Sequence, residues 1–194
     1  MKVDFAARAF GATLAWVGPP ADLESVRAAI IQPGHYRSNP DGTLERLKPA
    51  AGLRVLVDVV HGKPESLLTA DGIVLRVDLG PGGWEEAQAH LEEVRLAFAD
   101  QDLGSFPLVF AFSGLSSEST RTPEEARSTL GEWDNPGFTR GADGSSQGLA
   151  SRYVLDWAIH RQAGGCSCHP GLRDADYRLP QMNPVAEPKA HDPH

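Results

Sequence analysis

The chain has 194 residues, of which 41% are hydrophobic, and a formal net charge of −8. A chain of this length buries about 70% of its extended surface on folding, so it needs no disulfide or metal staple. The acidic balance opposes nonspecific binding to nucleic acid or anionic membranes, because phosphates must be met by clustered Lys or Arg.

No apolar run approaches the ~20 residues that span a bilayer. The first residues hold no uninterrupted apolar segment with a cleavage site. Cys166 and Cys168, the only cysteines, make no disulfide framework, and a cytoplasmic, reducing setting is expected.

Phe10, Ala12, Leu14 and Trp16 alternate with Gly11, Thr13, Ala15 and Val17. This predicts a first strand with its larger side chains on one face. Gly18-Pro19-Pro20 stops it. Leu23, Val26, Ala29 and Ile30 give Asp22–Ile31 a helical stripe, which Pro33-Gly34 ends. Residues 35–48 are polar and contain Asn39-Pro40-Asp41-Gly42, the turn chemistry of an exposed hairpin. Leu53–Val60 predicts a central strand interrupted only by Arg54 and Asp58, and Gly62-Lys63-Pro64 terminates it. In the strand Ile73–Leu79, Ile73, Leu75, Val77 and Leu79 share one face, with Val74, Arg76 and Asp78 on the other. Gly80-Pro81-Gly82-Gly83 turns into a helix over Glu85–Ala99, striped by Ala87, Leu91, Val94 and Phe98. Phe106–Phe112 is the fourth strand, with Pro107 near its start.

The order β-α-β-β-α-β over residues 1–112 predicts an α+β core of the ferredoxin-like, split βαβ kind. Its four-stranded antiparallel sheet would carry helices on one face, with a hairpin inserted near 35–48. A three-layer α/β arrangement is the main competitor, and the second face of the sheet discriminates. Arg54 or Asp58, with Arg76 and Asp78, are placed on that face, which C-terminal helices would cover in part.

Residues 113–164 read as a loop-rich helical extension packed on the core. Thr122-Pro123-Glu124-Glu125 is a helix start, with Thr122 as cap, Pro123 in the first helical position and Glu125 reciprocating. Residues 134–148 are an exposed loop. Leu149–Arg161 is a helix with Leu149, Tyr153, Val154, Trp157 and Ala158 on its apolar face, ended by Gly164-Gly165. Residues 165–194 form an irregular, partly flexible tail spaced by prolines.

The densest soft-ligand chemistry is Cys166-Ser167-Cys168-His169, with His160 upstream. Cys166, Cys168 and a histidine (His160 or His169) supply ligand types that Zn²⁺ takes, although the one-residue spacing departs from the usual two to four. The pair also follows a helix end, whose dipole opposes a redox-active thiolate. Gly80–Gly83 lies where phosphates bind, yet Glu85 and Glu86 already answer the helix dipole and would repel an anion. Asp58 and His61, with Asp78 at a neighbouring strand end, are a candidate base or metal pair. No Ser stands in a nucleophile elbow. Trp133 and Phe138 flank a polar loop and are the candidate partner-binding residues.

The first functional expectation is a non-enzymatic cytoplasmic binding or regulatory domain that acts through protein–protein contacts or self-association. The alternative is a zinc-type hydrolase or metal-binding protein using the Cys-x-Cys-His segment. The second alternative is single-stranded nucleic-acid binding on an aromatic sheet face, which the net charge does not favour.

Overall fold

The structure is a computed structural model that describes residues 2–4, 8–47, 54–99, 106–115, 119, 121–130, 137–139 and 145–162. In chain order the strands and helices are β1 (Lys2–Asp4), β2 (Ala9–Val17), α1 (Leu23–Ile31), β3 (Tyr36–Ser38), β4 (Leu44–Arg46), β5 (Arg54–His61) and α2 (Pro64–Leu67). They continue with β6 (Gly72–Asp78), α3 (Gly83–Ala97), β7 (Leu108–Ser113), α4 (Pro123–Leu130), β8 (Gly137–Phe138) and α5 (Ser146–Gln162). All described strands join one mixed sheet in the order β3-β4-β5-β2-β6-β7-β8, and β1 pairs antiparallel with the start of β2. The strands β5, β2, β6, β7 and β8 run parallel, while β3 and β4 form an antiparallel hairpin added to β5.

This architecture is α/β and replaces the four-stranded antiparallel ferredoxin-like sheet expected from the element order. The strands Phe10–Val17, Leu53–Val60, Ile73–Leu79 and Phe106–Phe112 are present with shifted ends. What differs is their direction. Residues 62–71 are not a hairpin-like link. They hold the one-turn helix α2 and carry the chain from β5, on one side of β2, to β6 on the other. Every later connection also returns the chain parallel, through α3 and then α4. Parallel strands need such crossovers, and crossovers place helices on both faces.

The burial pattern follows. On one face Phe10, Ala12, Leu14 and Trp16 of β2 pack with Val55, Val57 and Val59 of β5. They lie beneath Val26 and Ile30 of α1 and the apolar residues of α5. On the other face Ala15 and Val17 pack with Ile73, Leu75 and Val77 of β6. Phe110 and Phe112 of β7 join them under Leu91 and Val94 of α3 and Ala126 and Leu130 of α4. Leu91 and Phe98 are core residues, as the helical stripe predicts. From Leu149 to Ile159, α5 is buried except at Asp156, which is half-buried. The helix is therefore apolar nearly all round rather than along one stripe. Arg54 and Asp58 do not share a face with Arg76 and Asp78, contrary to expectation. The pairing Ala12↔Val57 and Trp16↔Val74 puts them on opposite sides.

Local chemistry fixes the connections. In the hairpin turn, Gly42 takes φ +84°, the Asn39 N–H bonds the Thr43 carbonyl at 2.8 Å, and Asp41 accepts from the Thr43 N–H at 3.0 Å. At the start of α4 the expected reciprocal cap is present. The Glu125 N–H donates to Thr122 Oγ1 at 3.2 Å, and the Thr122 N–H donates to Glu125 Oε2 at 2.8 Å. On β2, β1 stops at Gly11 and β6 begins opposite Leu14, which leaves the Thr13 backbone between them. Asp71 fills the gap: its carboxylate accepts the Thr13 N–H at 2.9 Å, and its own N–H donates to the Thr13 carbonyl at 2.8 Å.

Candidate functional site at the carboxyl ends of the strands

β2 connects to β5 on one side and β6 lies on the other, so the strand order reverses at β2. Ligands of open α/β sheets bind in the crevice at such a point, outside the carboxyl ends of the strands. Two loops border that crevice here: Gly18–Asp22 after β2, and Leu79–Gly82 after β6.

Several amides of these loops are withheld from a ligand. The first contains Pro19 and Pro20, which have no N–H to donate. Its Asp22 places a carboxylate at the start of α1. In the second, the Gly80 N–H is taken by Asp78 Oδ1 at 2.9 Å. Glu85 and Glu86 follow in the first turn of α3.

Arg76 is the hub of the crevice. It emerges from β6 beside Gly18, where an added Cβ would meet Arg76 Cβ at 3.0 Å. Its Nη2 donates to Asp78 Oδ2 at 2.9 Å, and its Nε donates to Ser113 Oγ at 3.2 Å. Its Nη1 lies 3.3 Å from Asp22 Oδ2. One guanidinium thus ties the ends of β6 and β7 to the start of α1, and its charge is met by two carboxylates. Backbone packing closes the arrangement. A Cβ at Gly83 would sit 2.5 Å from Asp78 Cβ, and one at Gly114, where φ is +70°, would collide with Asp78 Oδ1. Both positions require glycine so that the chain can close around Asp78. The remaining space, bordered by Pro19, Glu86 and His90, is about 10 Å³, or room for one water.

His61 stands at the end of β5. Its Nε2 lies 2.9 Å from the Gly18 carbonyl, which only accepts, so Nε2 carries the proton. Its Nδ1 is buried and has no hydrogen-bond partner among the described residues. The expected Asp58–His61–Asp78 constellation does not assemble. His61 holds the first loop, Asp78 is bound to Arg76, and Asp58 is exposed on the opposite face.

Among the other expected site residues, His160 is exposed in the last turn of α5. Cys166, Cys168, His169 and Trp133 lie outside the described residues. Phe138 is a core residue of β8, its ring 5.1 Å from that of Tyr153. The strand aromatics Phe10, Trp16, Phe110 and Phe112 are buried under helices and form no open stacking platform. Among the described residues no group of three or more His, Cys, Asp or Glu side chains is placed to hold a metal, and no helix is long and apolar enough to cross a membrane.

The open surface lies elsewhere, on the face of the sheet served by α2. A cleft of about 400 Å³ runs over β2 and β5, lined by Gly11, Thr13, Leu56 and Asp58 and walled by Thr43, Thr69 and Asp71. Next to it Glu45 is clamped between two guanidinium groups. Arg54 Nε lies 2.7 Å from one carboxylate oxygen, and Arg37 Nη2 lies 2.8 Å from the other. The hydrogen bonds from Arg54 and then Arg37 lower the Glu45 carboxyl to about 2.

Sequence reasoning did not single out Arg76 as a hub. The available signal was a lone Arg two residues before an Asp at the end of an apolar strand, followed by Gly-Pro-Gly-Gly. The chain matches no protein-family model and no curated protein.

Proposed function

We propose that the chain is a non-catalytic binding domain that acts through protein–protein contacts. The observation that carries this reading is the state of the switch-point crevice. The place where a doubly wound sheet normally holds its small ligand is filled by the chain's own Arg76, Asp22 and Asp78. Prolines replace amide donors in one loop, and Asp78 takes the Gly80 amide in the other. Glu85, Glu86 and Asp22 oppose a phosphate electrostatically. The space left in the crevice, about 10 Å³, is small beside the roughly 300–1,000 Å³ of small-molecule sites, which supports this reading. β5, by contrast, exposes Arg54 and Asp58 on one face.

Cross-linking the purified chain in extract from its own cells, followed by identification of the adducts, tests the reading. The expected result is a protein adduct that forms equally with wild type and Arg76→Lys and is reduced at least tenfold by Leu56→Arg. An adduct insensitive to Leu56→Arg, or turnover of a small substrate abolished by Arg76→Lys, would contradict it.

A further inference from the structure

We infer that the cleft over β2 and β5 receives a basic segment of a partner protein, with the Asp58 carboxylate as its anchor. This deepens the reading above and rests on it. β5 is an interior strand, flanked by β4 and β2, and an interior strand of an α/β sheet is ordinarily covered on both faces. Here its Val55, Val57 and Val59 are buried on one face, whereas Arg54 and Asp58 on the other are exposed. The cause is the crossover from β5 to β6. Its helix α2 has only 4 residues, and its buried Leu67 joins the β6 and α3 cluster, which reaches β5 only at Val60 and leaves Arg54 and Asp58 outside it.

The exposed patch has a definite shape and charge. At Gly11 an added Cβ would meet nothing within 4 Å, so the floor there is bare backbone beside the half-buried Leu56. Asp71 is fixed as a wall by its two bonds to Thr13. Asp58 pairs across the ladder with Thr13 and, among the described residues, has no hydrogen-bond or ion-pair partner. Among the described side chains the lining carries two carboxylates and three threonine hydroxyls, with no Lys or Arg. The nearby Arg54 and Arg37 are both engaged by Glu45.

A cationic side chain complements this surface. Its apolar stem can lie on Leu56 and Gly11 while its head meets Asp58. Arginine suits the site better than lysine, because its planar guanidinium lies flat on bare backbone and pairs in a fork with a carboxylate. The net charge of −8 attracts such a segment from a distance, and two nucleic-acid phosphates in the same cleft would meet the wrong sign.

The test is a titration of the ¹⁵N-labelled full chain with the blocked peptide tri-arginine, followed by amide chemical shifts. Shifts are expected at Gly11, Thr13, Thr43, Leu56, Asp58 and Thr69. Asp58→Asn should weaken binding at least fivefold, and trilysine should bind more weakly than tri-arginine. Shifts spread over all acidic surfaces, or unchanged affinity in Asp58→Asn, would overturn the assignment. Concentration-dependent shifts in the same residues without peptide would assign the cleft to a second copy of the chain, and saturation by an oligothymidylate would assign it to nucleic acid. Either result would also overturn the inference. Failure here leaves the cross-linking result standing, because that experiment does not depend on the partner's charge.

Discussion

The Arg76 guanidinium and the Asp78 carboxylate, two residues apart on β6, meet at 2.9 Å beyond the end of the strand. Asp78 also accepts the Gly80 amide, so one carboxylate organises the turn into α3. Side-chain exposures of 24% and 31% place this pair between a surface and a buried bridge. Asp78→Ala should therefore destabilise by about 1.5–3 kcal/mol, the range for hydrogen bonds to charged groups. Urea denaturation at neutral pH is the check.

Gly114 should respond more strongly. At φ +70° a side chain is strained, and the Cβ would overlap Asp78 Oδ1. Gly114→Ala should cost more than the ~1 kcal/mol of backbone strain alone. In an Asp78→Ala background the clash with the carboxylate disappears, while the strain and an approach of 2.8 Å to the Gly80 backbone nitrogen remain. A double-mutant cycle should show a favourable coupling of about 1 kcal/mol or more. Strict additivity would mean that the glycine answers only its own dihedral angle.

Leu91→Ala should destabilise by about 2–5 kcal/mol, since the side chain is 2% exposed under the β6–β7 face. The denaturation midpoint should fall with an unchanged denaturant slope.

Much of the fold was legible in local pattern. The period-2 faces of β2 and β6, the stripe of α3 and the Thr122–Glu125 cap all stand as the residues predict. Strand direction was not legible, because alternation along a strand is the same whether its neighbour runs parallel or antiparallel. The decision rested on residues 62–71, where Pro64-Glu65-Ser66-Leu67 forms a single helical turn too short for periodicity to reveal. β8 was hidden for a similar reason, since its two residues, Gly137 and Phe138, fall inside a polar stretch. The crevice was partly legible. Glu85 and Glu86 correctly argued against a phosphate at Gly80–Gly83, but the link between Arg76, Asp22 and Ser113 joins three elements and exists only in the folded sheet.

Glu45 gives the chain an acid-sensitive element. Its carboxyl is lowered to about 2 by Arg54 and then Arg37, against about 4.3 in an unfolded chain. A lowered folded pKa contributes stability above the unfolded value and loses it as pH falls through the folded one. The window is thus about pH 4.3 down to 2. Asp41 and Glu125 are also lowered, chiefly by Thr43 and Thr122 respectively, and act in the same direction. Both persist in Glu45→Gln, so the difference between the two proteins isolates Glu45. Wild type should exceed Glu45→Gln in stability at pH 6, and the gap should narrow as pH falls through the window. A gap independent of pH would place the stabilisation elsewhere.

The most direct test of the closed crevice is thermal denaturation with and without Mg²⁺ plus ATP or GTP, and with inorganic phosphate. A ligand present at 100 times its Kd stabilises by about 2.7 kcal/mol, which for a chain of this size raises Tm by about 5–10 °C. With Arg76 held by Asp22 and Asp78, the expected result at millimolar nucleotide is no displacement of Tm beyond that of a matched salt control. A saturable rise of several degrees, abolished by Arg76→Lys, would show that the crevice opens to a ligand and would contradict the non-catalytic reading.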